Sequence, residues 1–368
     1  MQEIGSVGRP SARQRKRPSV YGIGFVALDV VRSSKRENIY AYAGGTCGNV
    51  LAILAYLGWE AHPIARLNGD TASERVKEDL RSVGVMLELA EIAPTISTPI
   101  VVQIIKRGAK GVSRHRFEWA CPECGTVLPR FRPVPARAVG RIAASMRKPS
   151  VFFMDRVSRS ALELAKIASE RGALVYFEPS EITHPKMFKE AMQIAHIVKY
   201  SRDRLRSLGH QGRNPEVLVE IQTLGAQGLI YRSRLSREPG WVHLPPVPAP
   251  VLIDACGAGD WCTAGIVASL GSGGFAGLLS DVGSDLGSAL RYGQTLAAWN
   301  CRFEGARGGM YRIKRPSFVR QVRAMLGASV APRTGRSNGS DPLRTSSVAS
   351  VACPACPTRH AGRTSQHT

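Results

Sequence analysis

From residue 136 to residue 232 the chain alternates helix-period segments with short apolar runs. Helical patterns at 136–147, 160–171, near 186–193 and at 202–208 are interleaved with strand patterns at 151–154, 174–177, 197–199, 217–223 and 229–232. This rhythm predicts a mostly parallel sheet sandwiched between helices. At 368 residues the chain is long enough for one large α/β domain with a well-buried core.

Ahead of that region, VYGIGFVALDVV from Val20 reads as a buried first strand running into a loop. The segment from Gly44 to Asn49 then opens a helix in which Val50, Ile53, Leu54 and Leu57 share one face, with Gly58 as its C-terminal cap. A strand near 62–66, a polar helix at 73–83 and a strand near 86–90 follow. Residues 98–106 and 113–119 read as a hairpin across the turn-rich RGAKG, an exposed sheet fit to serve as a lid. Beyond PPVPAP come a short strand at 251–253, a glycine turn, and helices at 260–270, 285–300 and 316–326.

The expected domain plan is therefore a disordered basic arm at 1–19 and a folded domain at 20–329. Within that domain, lid strands lie at approximately 30–43 and 98–119, with an insertion at 120–135. A disordered tail rich in Ser, Arg, Pro and Gly occupies 330–368.

The formal net charge is +22. Part of it sits in the ends, as Arg9, Arg13, Arg15, Lys16 and Arg17 at the start and five arginines after residue 330. Elsewhere the basic residues are scattered, with no arginine-rich helix and no basic strip interleaved with aromatics. A site for anionic small molecules accounts for the surplus without nucleic acid as a partner. No run approaches the roughly 18–20 apolar residues of a membrane span. The first twenty residues lack an apolar core behind their basic residues, so a cytoplasmic protein with no membrane role is expected. Eight cysteines in this length do not make a disulfide scaffold, and Cys47, Cys256, Cys262 and Cys301 sit in apolar or glycine-rich contexts that suit reduced thiols.

The segment DACGAGD, residues 254–260, lies between the 251–253 run and the helical WCTAGIVASL. A strand, a glycine turn and a helix start aim backbone N–H groups and the positive end of a helix dipole at one point. Gly257 and Gly259 permit the backbone shapes and close approach that an anion needs. Phosphoryl transfer asks for charge stabilisation there and for a carboxylate beside the attacking hydroxyl, a role open to Asp260. Taken alone, the turn is equally a tight βα connection with an acid in the first helical turn.

DACGAGDWCTAG resembles the C-terminal signature of the ribokinase-like (PfkB) carbohydrate kinase family. Gly44, Gly45, Asn49 and Leu57-Gly58, continuing into ARLNGD, resemble its N-terminal signature, and the likeness runs over roughly residues 20–326. The resemblance implies a ribokinase-like three-layer α/β/α sandwich with a mostly parallel central sheet and a small β lid. It also implies ATP-dependent phosphorylation of a hydroxyl on a sugar or sugar derivative, with ATP and Mg2+ as cofactors. By that resemblance Asp260 is the catalytic base, and Gly257, Ala258 and Gly259 form its anion hole. Asp29, Gly44, Gly45 and Asn49 would hold the acceptor. TLGAQG, with Thr223, Gly225 and Gly228, resembles the strand-turn lying against the nucleotide, and Asn300 is a candidate base contact. A nucleoside kinase of the same fold, or a non-catalytic regulatory or nucleic-acid-binding relative, stands as the alternative.

The chain departs from the family pattern in three places along its motifs. Ala255 replaces a threonine, Ser201 and Arg204 stand where Asn and Glu usually organise magnesium, and Glu178-Pro179-Ser180 replaces an Asp-Pro-Asn strand end. Outside the resemblance lies CPECG at 121–125, half of a zinc knuckle. Cys121 and Cys124 with Cys353 and Cys356 of the tail would complete four ligands, and so would His115 or a partner subunit's knuckle. Ordinary turn thiols are the other reading. The lid is expected to close over substrate or to pair with a second copy.

Overall fold

Val151–Met154 (β7) and Leu174–Phe177 (β8) are apolar and buried at every position, as strands covered on both faces must be. Their side chains alternate between two separate cores. Val151, Phe153, Leu174 and Tyr176 point into one, and Phe152, Met154, Val175 and Phe177 into the other. The computed structural model describes residues 17–33, 39–91, 96–107, 113–209, 214–236, 240–327, 344–345, 353 and 356.

Eight strands form the central sheet, in the order β12-β11-β10-β9-β8-β7-β1-β4. Besides β7 and β8 these are Ser19–Ile23 (β1), Glu60–Ile64 (β4), Ile197–Ser201 (β9), Val219–Thr223 (β10), Leu229–Ser233 (β11) and Val242–Leu244 (β12). Pairing from β4 through β10 is parallel, while β11 and β12 add an antiparallel edge. Helices Thr46–Tyr56 (α1), Ala258–Leu270 (α6) and Gly274–Asn300 (α7) cover one face, and Val139–Ser145 (α3), Arg159–Glu170 (α4) and Pro185–Met192 (α5) cover the other. This is a three-layer α/β/α arrangement. Thr71–Ser82 (α2), Gly308–Arg312 (α8) and Arg315–Gly327 (α9) complete the helices of the described residues.

A second sheet has the order β13-β3-β2-β5-β6. It consists of Ala27–Ser33 (β2), Ile39–Gly44 (β3), Ile100–Arg107 (β5), Ser113–Glu118 (β6) and the short Arg344–Thr345 (β13). β5 and β6 are the antiparallel pair expected from their alternation, with Val102 opposite Glu118. Asp70 caps α2 by accepting the Ser73 N–H at 2.7 Å, and its second oxygen takes the Thr98 N–H at 3.0 Å, which fastens the entry to β5.

Several elements differ from the sequence expectation. The run 20–31 is two strands in different sheets: Phe25 donates its N–H to Asp155 at 2.8 Å, and the chain turns out of the central sheet there. No strand forms at 251–253, because the N–H groups of Ile253 and Asp254 both turn to the Cys301 carbonyl, at 2.8 and 3.1 Å. Val251, Leu252 and Ile253 are left exposed. Residues 86–90 run beside β4 through scattered bonds, such as Ala65 N–H to Leu89 O, without becoming a strand. At 202–208 there is a turn rather than a helix, held by Arg202 N–H on Thr223 O. The helix expected from residue 285 begins at Gly274.

In the tail expected to be disordered, β13 pairs with β3, setting Arg344 opposite Tyr40 and Thr345 opposite Ile39. Cys353 and Cys356 are also placed there; residues 1–16 and the rest of the tail lie outside the described residues. No single helix among the described residues is long and apolar enough to cross a membrane.

Candidate active site

The turn before α6 is built by a buried carboxylate. Asp254 accepts the Cys256 N–H and the Gly305 N–H, each at 2.8 Å, so one side chain shapes both the turn and the loop after α7. Gly257 caps α6 in the left-handed region, at φ 72°, and a Cβ there would stand 2.3 Å from the Ala306 carbonyl oxygen. Only glycine satisfies both constraints. Gly257→Ala is expected to cost about 1–3 kcal/mol and to displace the turn, read by urea unfolding and by loss of turnover.

The Ala258 N–H closes back on the Ala255 carbonyl at 3.2 Å. The next two amides, of Gly259 and Asp260, fall in the first helical turn, where the helix itself offers no acceptor. Of the amides expected to hold an anion, that of Ala258 is thus already engaged within the turn.

Asp260 Oδ2 accepts a hydrogen bond from Asn49 Nδ2 at 2.8 Å. Asn49 stands on α1, directly after Gly44-Gly45, so the two glycine-bearing segments meet at one carboxylate. Gly44 is needed for another reason: a Cβ there would lie 2.0–2.4 Å from the Asp29 carboxyl. Asp29 sits on β2 opposite Tyr42, not in a loop. Burial pushes its pKa up to about 7, against the pull of Arg307 and the Gly45 N–H. Asn49 is buried, and its Oδ1 is without a hydrogen-bond partner, an acceptor left facing the site.

The Asp260 carboxyl is also pushed up to about 7, first by burial and then by the nearby Glu178. The Asn49 hydrogen bond and the charges of Lys199 and Arg204 oppose that rise. Glu178, at the end of β8, pairs with the buried Lys199 of β9 and accepts the Thr263 hydroxyl at 2.5 Å. Asp155 follows β7, accepts the Phe25 N–H and pairs with Arg156 at 3.1 Å; burial raises its pKa as well. Asp155 and Arg156 escaped the sequence reading, although a carboxylate directly after a buried parallel strand was their signal.

Thr223 ends β10 beside Ser201 of β9, and Gly225 and Gly228 form the turn after it. Asn300 is buried and committed. Its Nδ2 donates to Ala306 O at 3.0 Å, and its Oδ1 accepts the Gly309 N–H at 3.3 Å. It shapes the loop behind the turn and is not placed to contact a base.

The acidic residues nearby already have partners within the protein. Glu178 is held by Lys199 and Thr263, Asp155 by Phe25 and Arg156, and the positive charge of Arg204 faces Asp260. Among the described residues, the one cluster of three or more metal-binding side chains is Cys121, Cys124, Cys353 and Cys356. His115 is turned elsewhere, with Nδ1 at 2.5 Å from Gln103 and Nε2 at 2.5 Å from Asp254.

Residues 134–311 match the pfkB family carbohydrate kinase model. No curated protein sequence matches the chain. Among solved structures, it is similar to Arabidopsis thaliana ribokinase complexed with ribose and ATP, at 17% identity and TM-score 0.60, over 85% of this chain and 100% of that one. A Burkholderia thailandensis nucleoside kinase in complex with inosine shares 15% identity at TM-score 0.59, over 84% and 98%. A Xylella fastidiosa fructokinase with bound ATP gives 15% and 0.57, over 78% and 93%. Residues 134–311 thus resemble a pfkB family carbohydrate kinase domain, and they lie on a ribokinase-like fold.

Proposed function

We propose that the protein transfers the γ-phosphoryl group of ATP to a hydroxyl of a sugar or sugar-like acceptor, with Asp260 as general base. The observation that carries this reading is the 2.8 Å hydrogen bond between Asn49 and Asp260, residues 211 positions apart in the chain. It sets a carboxylate at the mouth of an amide-lined helix start, beside the unpartnered Asn49 Oδ1.

The acceptor hydroxyl gives its proton to Asp260 as its oxygen attacks the γ-phosphorus. The bond to the ADP oxygen then breaks, and the phosphoryl oxygens rest on the amides of Gly259 and Asp260. Asn49 holds the base in line, and its Oδ1 accepts a second acceptor hydroxyl. Asp29, between Gly44 and Arg307, binds hydroxyls deeper on the lid side. Thr223, Gly225 and Gly228 lie along the nucleotide. A magnesium ion carried on the ATP phosphates would offset their charge.

A nucleoside acceptor is the second reading, and one observation favours it. Phe25 lies 6.2 Å from Trp119 and 6.1 Å from Phe131, ring centre to ring centre, along a cleft of about 590 Å³ that Asp155 and Ser180 also line. The exposed Trp119 ring would offer a face to a base.

A coupled ATP-turnover screen of sugars, sugar phosphates and nucleosides at one magnesium concentration decides between the readings. ATP consumption with no acceptor class above background would overturn both. The pH profile is a separate check. A base whose pKa is about 7 is protonated and idle below it, so kcat/KM is expected to rise roughly tenfold per pH unit under pH 6 and to level off above pH 8. A flat profile from pH 5 to 8 would remove Asp260 from the proton transfer.

A further inference from the structure

Four thiols from opposite ends of the chain converge beside the lid. Cys121 and Cys124 come from the CPECG turn after β6, and Cys353 and Cys356 from the CPAC of the tail. Their four Sγ atoms all lie within 4.8 Å of one another, with Cys121 to Cys356 at 3.7 Å and Cys124 to Cys353 at 3.6 Å. A tetrahedral tetrathiolate with Zn–S bonds of about 2.3 Å has its sulfurs about 3.8 Å apart. The observed spacings are close to that figure. All eight cysteines are free thiols, and two separate disulfides would not need all four sulfurs gathered around one point.

The surroundings are those of a knuckle. The Cys121 carbonyl accepts the Gly125 N–H at 2.8 Å, and Gly125 turns the chain at φ 71°. The N–H groups of Glu123 and Cys124 are directed at the Cys121 sulfur, and Thr126 Oγ1 stands 3.3 Å from the Cys124 sulfur. Such bonds orient thiolates for a metal and offset their charge. Cys121, Cys353 and Cys356 are buried. His115, the competing ligand, is engaged by Gln103 and Asp254. The tail meets the lid a second time where β13 pairs with the free edge of β3.

We propose that Cys121, Cys124, Cys353 and Cys356 hold one structural zinc ion as a tetrathiolate, fastening the C-terminal tail to the insertion that follows β6. Each ligand is a thiolate in the bound state, so loading releases the thiol protons to solvent, and no electrons are transferred. All four positions are filled by protein, which makes the site structural and not catalytic. The insertion also carries Trp119, Arg130 and Phe131 into the cleft beside Phe25, so the staple braces one wall of that cleft.

The test is metal analysis of the full chain, purified under reducing conditions without chelator. About one zinc per chain is expected, and cobalt replacement should show the thiolate-to-cobalt and tetrahedral bands of four sulfur ligands. Cys353→Ser with Cys356→Ser should lose stoichiometric zinc and lower the thermal midpoint, and trypsin should then cut at Arg344 faster. Three results would each overturn the proposal. One is a metal-free chain with four freely alkylated thiols here. The next is a mass reduced by the four hydrogens that two disulfides remove. The last is full zinc retention in the double variant. Iron in place of zinc would overturn the assignment of the metal. If the double variant does not fold, the cobalt spectrum of the unaltered chain still counts the sulfur ligands.

Discussion

Asp260→Asn is expected to reduce kcat for phosphoryl transfer by about 10²–10⁴-fold, with ATP affinity held within a few-fold. Asparagine keeps the shape of the side chain and the backbone amides of the turn, and removes only the proton acceptor. The variant should also be the more stable protein at pH 8. The sign follows from the carboxyl's pKa of about 7 in the folded chain, raised from 3.8. A raised carboxyl favours the fold below its unfolded pKa, and that contribution is lost as pH climbs through 7. At pH 8 the native chain therefore carries a confined charge that Asn lacks, worth about 1–2 kcal/mol, whereas at pH 4 the two proteins should unfold alike. Urea titrations at both pH values, beside the turnover assay, check the prediction. Near-native turnover by the variant would sink the role given to Asp260.

The largest loss of stability is expected at Asp79. This buried residue on α2 accepts the Arg307 guanidinium and the Ala43 N–H, each at 2.7 Å, and the Tyr311 hydroxyl at 3.0 Å. It joins α2, β3 and α8, and it sits under the wall on which Asp29 stands. Asp79→Ala should cost about 3–5 kcal/mol, because the buried Arg307 is left without its counter-charge. Replacing both, as Asp79→Leu with Arg307→Met, should cost less than the single change, since no bare charge remains. Denaturant midpoints of the three variants measure this, and a double variant worse than the single would contradict it.

The two glycine-bearing segments that meet at Asp260 were legible as turns before helices because that shape is set locally. Gly44-Gly45 before a helix and a Gly-Ala-Gly-Asp turn before another each announce backbone shape and an adjacent polar group. The parallel core strands were legible for the same reason, as in Val151–Met154. Contacts were not. Nothing in Glu178 or Lys199 alone says that they neutralise each other beneath Asp260, or that Thr263 completes the pair. Asp29 was misplaced because a turn at Phe25, pinned by a carboxylate 130 residues away, divides one apolar run between two sheets. Asn300 read as a ligand contact, yet its carboxamide is consumed by its own loop. The run at 251–253 has strand composition but no neighbouring strand; its amides find Cys301 instead.

The hydrogen bond from Asn49 to Asp260 spans 211 positions. A chain emerging from the ribosome displays its first glycine motif, the lid strands and most of the central sheet before the other partner exists. No product that stops short of residue 260 can therefore assemble this pair. On the proposed mechanism, phosphoryl transfer would begin only when the segment carrying Asp260 has closed against the beginning of the chain, so the onset of activity would report that late closure.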